Sequence, residues 1–278
     1  MTEPLAGMAG LDLTVLLFVP GHRPDRFEKA AAAGPDAVIL DLEDAVPLDA
    51  KDAARAQLRI DFTSLPVLVR INAAGTPFHA ADLEAVARLK PAGVILPKAE
   101  STQTVDAVAA VLRTHIPILA LVESAVGLAN ARAIAAHPAV KRLAFGSVDF
   151  SADIGCAHVR EALLAARAEL VLAARLAGRL APVDGVTTAI DDAGQAREDA
   201  RYAQALGFGG KLAIHPKQIG PIREGFRPNM AEIEWARRVL DSGDGAAAVD
   251  GAMVDAPVRI RARSILARAV GGPTRNRL

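Results

Sequence analysis

Apolar positions along this chain fall into two alternating patterns. Eight short continuous apolar runs occur at residues 14–19, 37–42, 67–71, 93–96, 118–122, 143–145, 182–186 and 211–214. A run of that length with no polar alternation describes a strand buried on both faces, as in a parallel sheet covered by helices. Between the runs lie Ala-rich segments with helical spacing, clearest at 25–33, 102–113, 128–136, 162–176 and 193–206. Strands alternating with such helices predict βαβ units. Eight units predict an α/β protein of the (β/α)₈ barrel type, for which about 250 residues is typical. A doubly wound open sheet is the structural alternative. Against it, the first run leads into Val19-Pro-Gly-His-Arg-Pro24 rather than a G-x-G-x-x-G phosphate loop.

The pattern changes beyond Gly225-Phe-Arg-Pro228. Residues 230–240 predict an amphipathic helix carrying the only tryptophan, Trp235, and a small-residue stretch follows at 243–251. Met253-Val-Asp255-Ala-Pro257 then opens a last helix reaching about Ala269. The expected division is a barrel over 1–225 and a helical lid and tail over 226–278, with 271–278 disordered. A flexible segment between two helices suits a lid or a subunit-exchange arm. A plain helical cap over exposed apolar surface fits the same pattern.

The candidate chemistry sits where the strands stop. Pro20-Gly21-His22-Arg23 follows the first run, Asp41-Leu-Glu43-Asp44 the second, and Arg70-Ile-Asn72 closes the third. Pro97-Lys98-Ala-Glu100 follows the fourth, Glu123 and Asp149 close the fifth and sixth, Asp184 belongs to the seventh, and His215-Pro216 ends the eighth. Residues that follow the strands of a parallel sheet gather at its carboxyl edge, where α/β proteins place their chemistry. A single acid there reads as a helix N-cap. Two acids in matched positions, Glu123 and Asp149, repel each other unless a cation or a proton sits between them, so they are expected to hold a divalent metal. Asp41 is expected to cap or brace a loop, Lys98 to pair with a neighbouring acid, and His215 to anchor a loop.

Charge and composition narrow the field. With 32 basic and 32 acidic residues, no long-range field attracts nucleic acid or an anionic membrane. A 51% hydrophobic fraction is ample for a large core. Cys156 is the only cysteine, so no internal disulfide forms, and it reads as a small residue buried at a helix start. Residues 1–12 lack the basic and apolar regions of a signal peptide, and no run approaches the roughly 20 apolar residues of a membrane span. A cytoplasmic location is expected.

Eight segments together carry a family resemblance: Leu17-Phe-Val-Pro-Gly-His-Arg-Pro, Ile39-Leu-Asp-Leu-Glu-Asp-Ala-Val, Val69-Arg-Ile-Asn, Leu96-Pro-Lys-Ala-Glu, Leu121-Val-Glu-Ser-Ala, Phe145-Gly-Ser-Val-Asp-Phe, Ala213-Ile-His-Pro-Lys-Gln-Ile and Met253-Val-Asp-Ala-Pro. In this order and spacing the chain resembles the citrate lyase beta-subunit and malyl-CoA lyase family, the CoA-ester branch of the HpcH/HpaI aldolase superfamily. The resemblance implies a (β/α)₈ barrel and cleavage or formation of a 3-hydroxyacyl-CoA of the malyl-, citramalyl- or citryl-CoA type, with an acyl-CoA and a 2-oxo acid as products. It implies magnesium (manganese being the alternative) on Glu123 and Asp149, and a substrate carboxylate held by Arg70 and by the turn at Gly146 and Ser147. Glu43 and Asp44 would act from outside the metal's own ligands, and Arg26 and Lys29 would meet CoA phosphates. Asp255 would complete the active site of a neighbouring subunit, which implies a homo-oligomer, most simply a trimer. A citrate lyase beta subunit needing partner chains, or a thioesterase on the same scaffold, are the other outcomes the resemblance allows. After the seventh run, Asp184-Gly-Val-Thr-Thr-Ala-Ile-Asp191-Asp192 differs from many malyl-CoA enzymes, which leaves the acyl group open.

Overall fold

The eight apolar runs pair in chain order. In the computed structural model, which describes residues 11–113, 116–243 and 247–269, they form β1 (Val15–Pro20), β2 (Ala37–Asp41), β3 (Val67–Arg70), β4 (Gly93–Leu96), β5 (Ile118–Val122), β6 (Val140–Phe145), β7 (Val183–Asp184) and β8 (Gly210–Ala213). Every neighbouring pair is parallel, and β8 returns to β1 to close the barrel. Most strands are apolar on both faces because each face has its own core. Leu16, Ile39, Leu68, Ile95, Leu119, Leu121, Val183 and Leu212 form the inner cluster that fills the bore. Alternate residues such as Leu17, Val38, Leu40, Val69, Leu96, Ala120 and Phe145 pack outward with the helices.

Two strands differ from the expected runs. β6 starts at Val140 because Lys141 and Arg142 break its apolar pattern without breaking its pairing. Arg142 lies opposite Leu119 of the bore cluster and is fully buried. Its guanidinium donates to the carbonyls of Leu11 (2.8 Å), Leu13 (2.7 Å) and Ala181 (2.7 Å), so it ties the entering chain to the barrel floor. Burial pushes its pKa down to about 10, which leaves it cationic at neutral pH. β7 keeps only Val183 and Asp184 of the expected 182–186. Pro182 has no N–H for a ladder, and at Gly185 the chain leaves the sheet against Ser147.

The helices follow the pattern with breaks. Helices run over Thr102–Leu112, Leu164–Leu176 and Ala193–Leu206, the first capped by Ser101 and the last by Asp192. The 128–136 segment divides at Asn130 into Ala125–Ala129 and Ala131–Ala136. The 25–33 segment begins as the 3₁₀ turn Pro24–Arg26 before the helix Phe27–Ala32. Helices at Lys51–Ala56, His79–Leu89 and Ile219–Phe226 also belong to the layer and were not among the clearest segments.

Beyond Phe226 the helix Met230–Asp241 starts in a capping box formed by Asn229 and Glu232. The stretch expected to be flexible contains a hairpin instead, β9 (Ala247–Val249) and β10 (Ala252–Val254). Asp250 and Gly251 both have positive φ, 53° and 78°, as a type I′ turn demands, and Asp-Gly is a preferred pair there. The helix Ala256–Ala269 closes this unit over a separate small core of Ala236, Val239, Val254, Ala262 and Ile265. The expected disordered tail at 271–278 lies outside the described residues. Among the described residues no helix is long and apolar enough to cross a membrane.

Replacing Arg142 by Met keeps most of the volume but removes the donor from three carbonyls, one buried and two partly buried. At about 1 kcal/mol or more for each lost partner, Arg142→Met is expected to lose roughly 3 kcal/mol in a urea unfolding titration. A loss below about 1 kcal/mol would show that the floor needs no cation.

Candidate active site

Glu123 is the first residue past β5 and is 4% exposed. Its Oε1 accepts the Lys98 backbone N–H at 2.8 Å, and Lys98 adopts φ 46°, a left-handed conformation costly for a residue with a side chain. Lys98 therefore serves Glu123 through its backbone, while its side chain is exposed. The other side of Glu123 lies on Gly146. A Cβ at 146 would stand 2.5 Å from the Glu123 Cβ and closer still to Oε2, so only glycine fits. Burial pushes the Glu123 carboxyl up to about 7; the Lys98 N–H opposes this and the charge of Asp149 adds to it.

Asp149 requires a correction of place. β6 ends at Phe145, the chain turns at Gly146, and the helix Ser147–Ile154 begins at once. Asp149 is thus in that helix's first turn rather than at the strand end, and it is exposed. Ser147, the first residue of the helix, is 1% exposed, and its Oγ is hydrogen-bonded to His158 Nε2 at 3.0 Å.

Arg70 ends β3 and faces three acids. Its Nε and Nη2 donate to the two oxygens of Asp41 at 2.7 Å each. Its Nη1 reaches Asp44 Oδ2 at 3.1 Å and Glu43 Oε2 at 3.2 Å, and the Phe18 ring lies 4.8 Å from the guanidinium carbon. Asp41 also accepts the N–H groups of Glu43 (2.9 Å) and Ala45 (3.1 Å), so it braces the loop as expected and holds one edge of Arg70 as well. Glu43 Oε2 is buried with no hydrogen bond of good geometry. Burial drives the Glu43 carboxyl up to about 8; Arg70 opposes the shift, and Asp44, Glu123 and Asp41 reinforce it. Lys51, buried nearby, donates to the carbonyls of Leu42 and Glu43 at 2.8 Å each.

Asp41, Glu43, Asp44, Glu123 and Asp149 thus outnumber the buried cations, and buried Glu43 Oε2 has an ion-pair contact to Arg70 but no well-formed hydrogen bond. That is the electrostatics of a cation site. Among the described residues no three His, Cys, Asp or Glu side chains are close enough to enclose a metal ion. Two carboxylates suffice for magnesium, which binds few protein oxygens and keeps waters in its octahedral shell. The donor set fits a hard divalent ion.

Other candidates stand apart from this group. Arg26 and Lys29 are exposed on the segment after β1. Asp255 caps the last helix, its Oδ1 accepting the Val258 N–H at 3.1 Å. Among the described residues, no hydrogen bond or ion pair links any of these three to Glu123 or Arg70. His215 anchors its loop by accepting the Lys217 N–H at 3.2 Å, as expected, and Cys156 is half-buried. Sequence reasoning missed Phe18 and the backbone role of Lys98; neither has a local signal.

Comparison with known proteins gives a consistent picture. The family described as HpcH/HpaI aldolase/citrate lyase matches residues 14–216. A citrate lyase subunit beta-like protein of Mycobacterium tuberculosis is 43% identical over 265 residues, covering 91% of this chain and 94% of that one. A (3S)-malyl-CoA thioesterase of Cereibacter sphaeroides is 37% identical over 269 residues, covering 91% and 93%. A crystal structure of the Mycobacterium tuberculosis protein CitE with magnesium, acetoacetate and coenzyme A superposes with a TM-score of 0.84 at 42% identity, covering 92% of this chain and 98% of that one.

The raised carboxyls give a signature in the metal-free protein. Glu43 moves from 4.5 to about 8, so between these values the folded state holds a proton that the unfolded chain has lost. Stability therefore falls as pH rises through that window. Thermal unfolding of metal-free protein is expected at a lower midpoint at pH 8 than at pH 5.5. Glu43→Gln should flatten that slope, and magnesium should raise the midpoint most at the alkaline end. A midpoint that rises with pH in the metal-free protein would contradict this electrostatic description.

Proposed function

The chain belongs to the HpcH/HpaI aldolase/citrate lyase family, and on that premise we propose that it is a magnesium-dependent carbon–carbon lyase. Its substrate would be a 3-hydroxyacyl-CoA of the malyl-, citramalyl- or citryl-CoA type, and its products an acyl-CoA and a 2-oxo acid. The observation that carries the proposal is the pairing of buried Glu123 with Asp149 beside Arg70, in a cluster short of positive charge. The related structure with magnesium, an oxo acid and coenzyme A supports the same chemistry. Glu123 and Asp149 hold magnesium or manganese, and Gly146 leaves the room that Glu123 requires. When bound, the ion supplies Lewis-acid polarisation of the 2-oxo acid carbonyl.

The protein's own groups do the rest. Asp41 fixes one edge of the Arg70 guanidinium, so its Nη1 side meets the substrate carboxylate with Asp44 giving way, and the N–H of Ser147 completes that cradle, the Gly146 N–H being spent on the Val122 carbonyl at 3.0 Å. Glu43 stays close enough to orient what binds there. Arg26 and Lys29 meet the CoA phosphates. Bond formation needs a proton taken from the acyl methyl, and cleavage needs it returned. Asp255 does this in a neighbouring copy, since its own carboxylate sits in the C-terminal unit, and the protein works as a homo-oligomer, a trimer in the simplest case.

A thioesterase outcome is favoured by the relative of that name. A citrate lyase subunit requiring partner chains is the other reading, after the beta-like relative. The purified chain alone, given citryl-, malyl- and citramalyl-CoA with magnesium, is expected to release a 2-oxo acid and to lose this activity in Glu123→Gln. Free thiol without a 2-oxo acid would make it a hydrolase. Turnover only after adding acyl-carrier subunits would make it part of a complex.

The shared site gives a separate test. Asp255→Ala is expected to keep magnesium binding and lose turnover. Re-assembled mixtures of Asp255→Ala and Glu123→Gln subunits should recover part of it. Mixtures that stay inactive, or full turnover in Asp255→Ala alone, would remove Asp255 from the reaction.

A further inference from the structure

Outside the barrel bore, between the helices Leu164–Leu176 and Ala193–Leu206, lies a cavity of about 330 Å³. It is lined by His158, Arg160, Arg167, Tyr202 and Lys211 among others, none of which the proposed lyase chemistry uses. Arg160, Arg167 and Lys211 face only two carboxylates, Asp184 and Asp199, so one positive charge is left over. Both acids are already committed. Asp184 accepts Arg167 Nε at 2.8 Å and Lys211 Nζ at 3.3 Å. Asp199 accepts Arg160 Nη2 and Thr187 Oγ1 at 2.8 Å each.

Arg167 is the informative member. It is 6% exposed, and its Nη1 is buried with no hydrogen-bond partner. The guanidinium lies against two rings, 5.4 Å from the centre of Phe145 and 5.7 Å from that of Tyr202. Asp184 and the rings fix its plane and leave donors unused on a wall of the cavity. An unpaired buried donor is costly, and a planar fork held rigid by aromatic faces matches an oxyanion with two oxygens. Arg160 lies 5.0 Å from the centre of the Tyr202 ring and brings a second guanidinium to the same cavity.

We propose that this cavity is a binding site for a small oxyanion, a phosphate or carboxylate group, held between Arg167 and Arg160 and separate from the Glu123–Asp149 cluster. Its volume falls within the range of small-ligand pockets. It adjoins the candidate active site through one hydrogen bond, that of His158 to Ser147 at 3.0 Å.

Tyr202 is the only tyrosine of the chain, so ¹³C-labelling of tyrosine rings gives a single reporter in the cavity wall. Inorganic phosphate or succinate, titrated in turn into the full-length protein, is expected to shift the Tyr202 resonance saturably. Saturation by phosphate alone identifies a phosphate-type ligand, and by succinate alone a carboxylate-type one; either supports the site. Arg160→Gln, at the exposed side of the cavity, should weaken binding about tenfold, the equivalent of one charge-assisted hydrogen bond. Arg167→Lys keeps the charge but loses the fork and should weaken it at least as much. Glu123→Gln should bind the anion as the parent does, which separates this site from the lyase proposal. No saturable shift with either anion in the parent protein, or undiminished binding in Arg160→Gln, would overturn the proposal.

Discussion

Glu123 loses nearly all contact with water at the end of β5, and a carboxylate can be buried only where its surroundings supply positive charge, donors or a proton. Much of the rim can be understood as an answer to that constraint. Lys98 takes a strained backbone conformation to give Glu123 one N–H. Position 146 gives up its side chain so that the carboxylate fits. The remaining neighbours make the problem worse, because Asp149, Asp44 and Glu43 add negative charge that Arg70 offsets only in part. A protein gains nothing in stability from such a cluster on its own. A cation joining the cluster would make it favourable, and the same cation would bring the chemistry proposed above.

The barrel was legible in the sequence because a strand buried on both faces leaves an apolar run that no helix of the layer imitates. It became illegible where a strand carries charge. Lys141 and Arg142 hid the first half of β6, yet Arg142 points its charge at backbone carbonyls and stays within the pairing. The hairpin of β9 and β10 was hidden differently, under a run of small residues that suggested flexibility. Its Asp250-Gly251 turn was the readable signal. At the site, residue types and spacing pointed to Glu123, Asp149 and Arg70, but Asp149 was assigned to a strand end because the Gly146 turn is too short to register as a break. The Asp41–Arg70 fork joins residues 29 apart in sequence and depends on register between β2 and β3, which no local pattern encodes.

Three of the four buried arginines among the described residues, Arg142, Arg70 and Arg167, do different electrostatic work. At the floor, Arg142 meets only carbonyl oxygens, and burial lowers its pKa. At the rim, Arg70 meets an excess of carboxylates, which hold it firmly charged against the cost of burial. Outside the bore, Arg167 shares Asp184 with Lys211 and keeps donors in reserve. The same side chain is thus a structural tie, a carboxylate clamp and an unfilled donor, according to what the neighbouring strands present. Only the second was visible from sequence, since it alone falls in a motif at a strand end.

The C-terminal unit carries the argument one step further. Its two helices and hairpin bury a small core of their own, distinct from the two clusters of the barrel. Asp255 opens its last helix and spends Oδ1 on the Val258 N–H. That bond holds the carboxylate in one orientation, and among the described residues no hydrogen bond engages its second oxygen. An N-cap contributes about 1 kcal/mol, and the same fixed geometry suits an acid that must meet a carbon atom at a set distance. Capping and proton transfer are therefore compatible demands on one residue. The capped helix end would present Asp255 in the same pose in every copy, while closure over the thioester would come from docking of the whole unit.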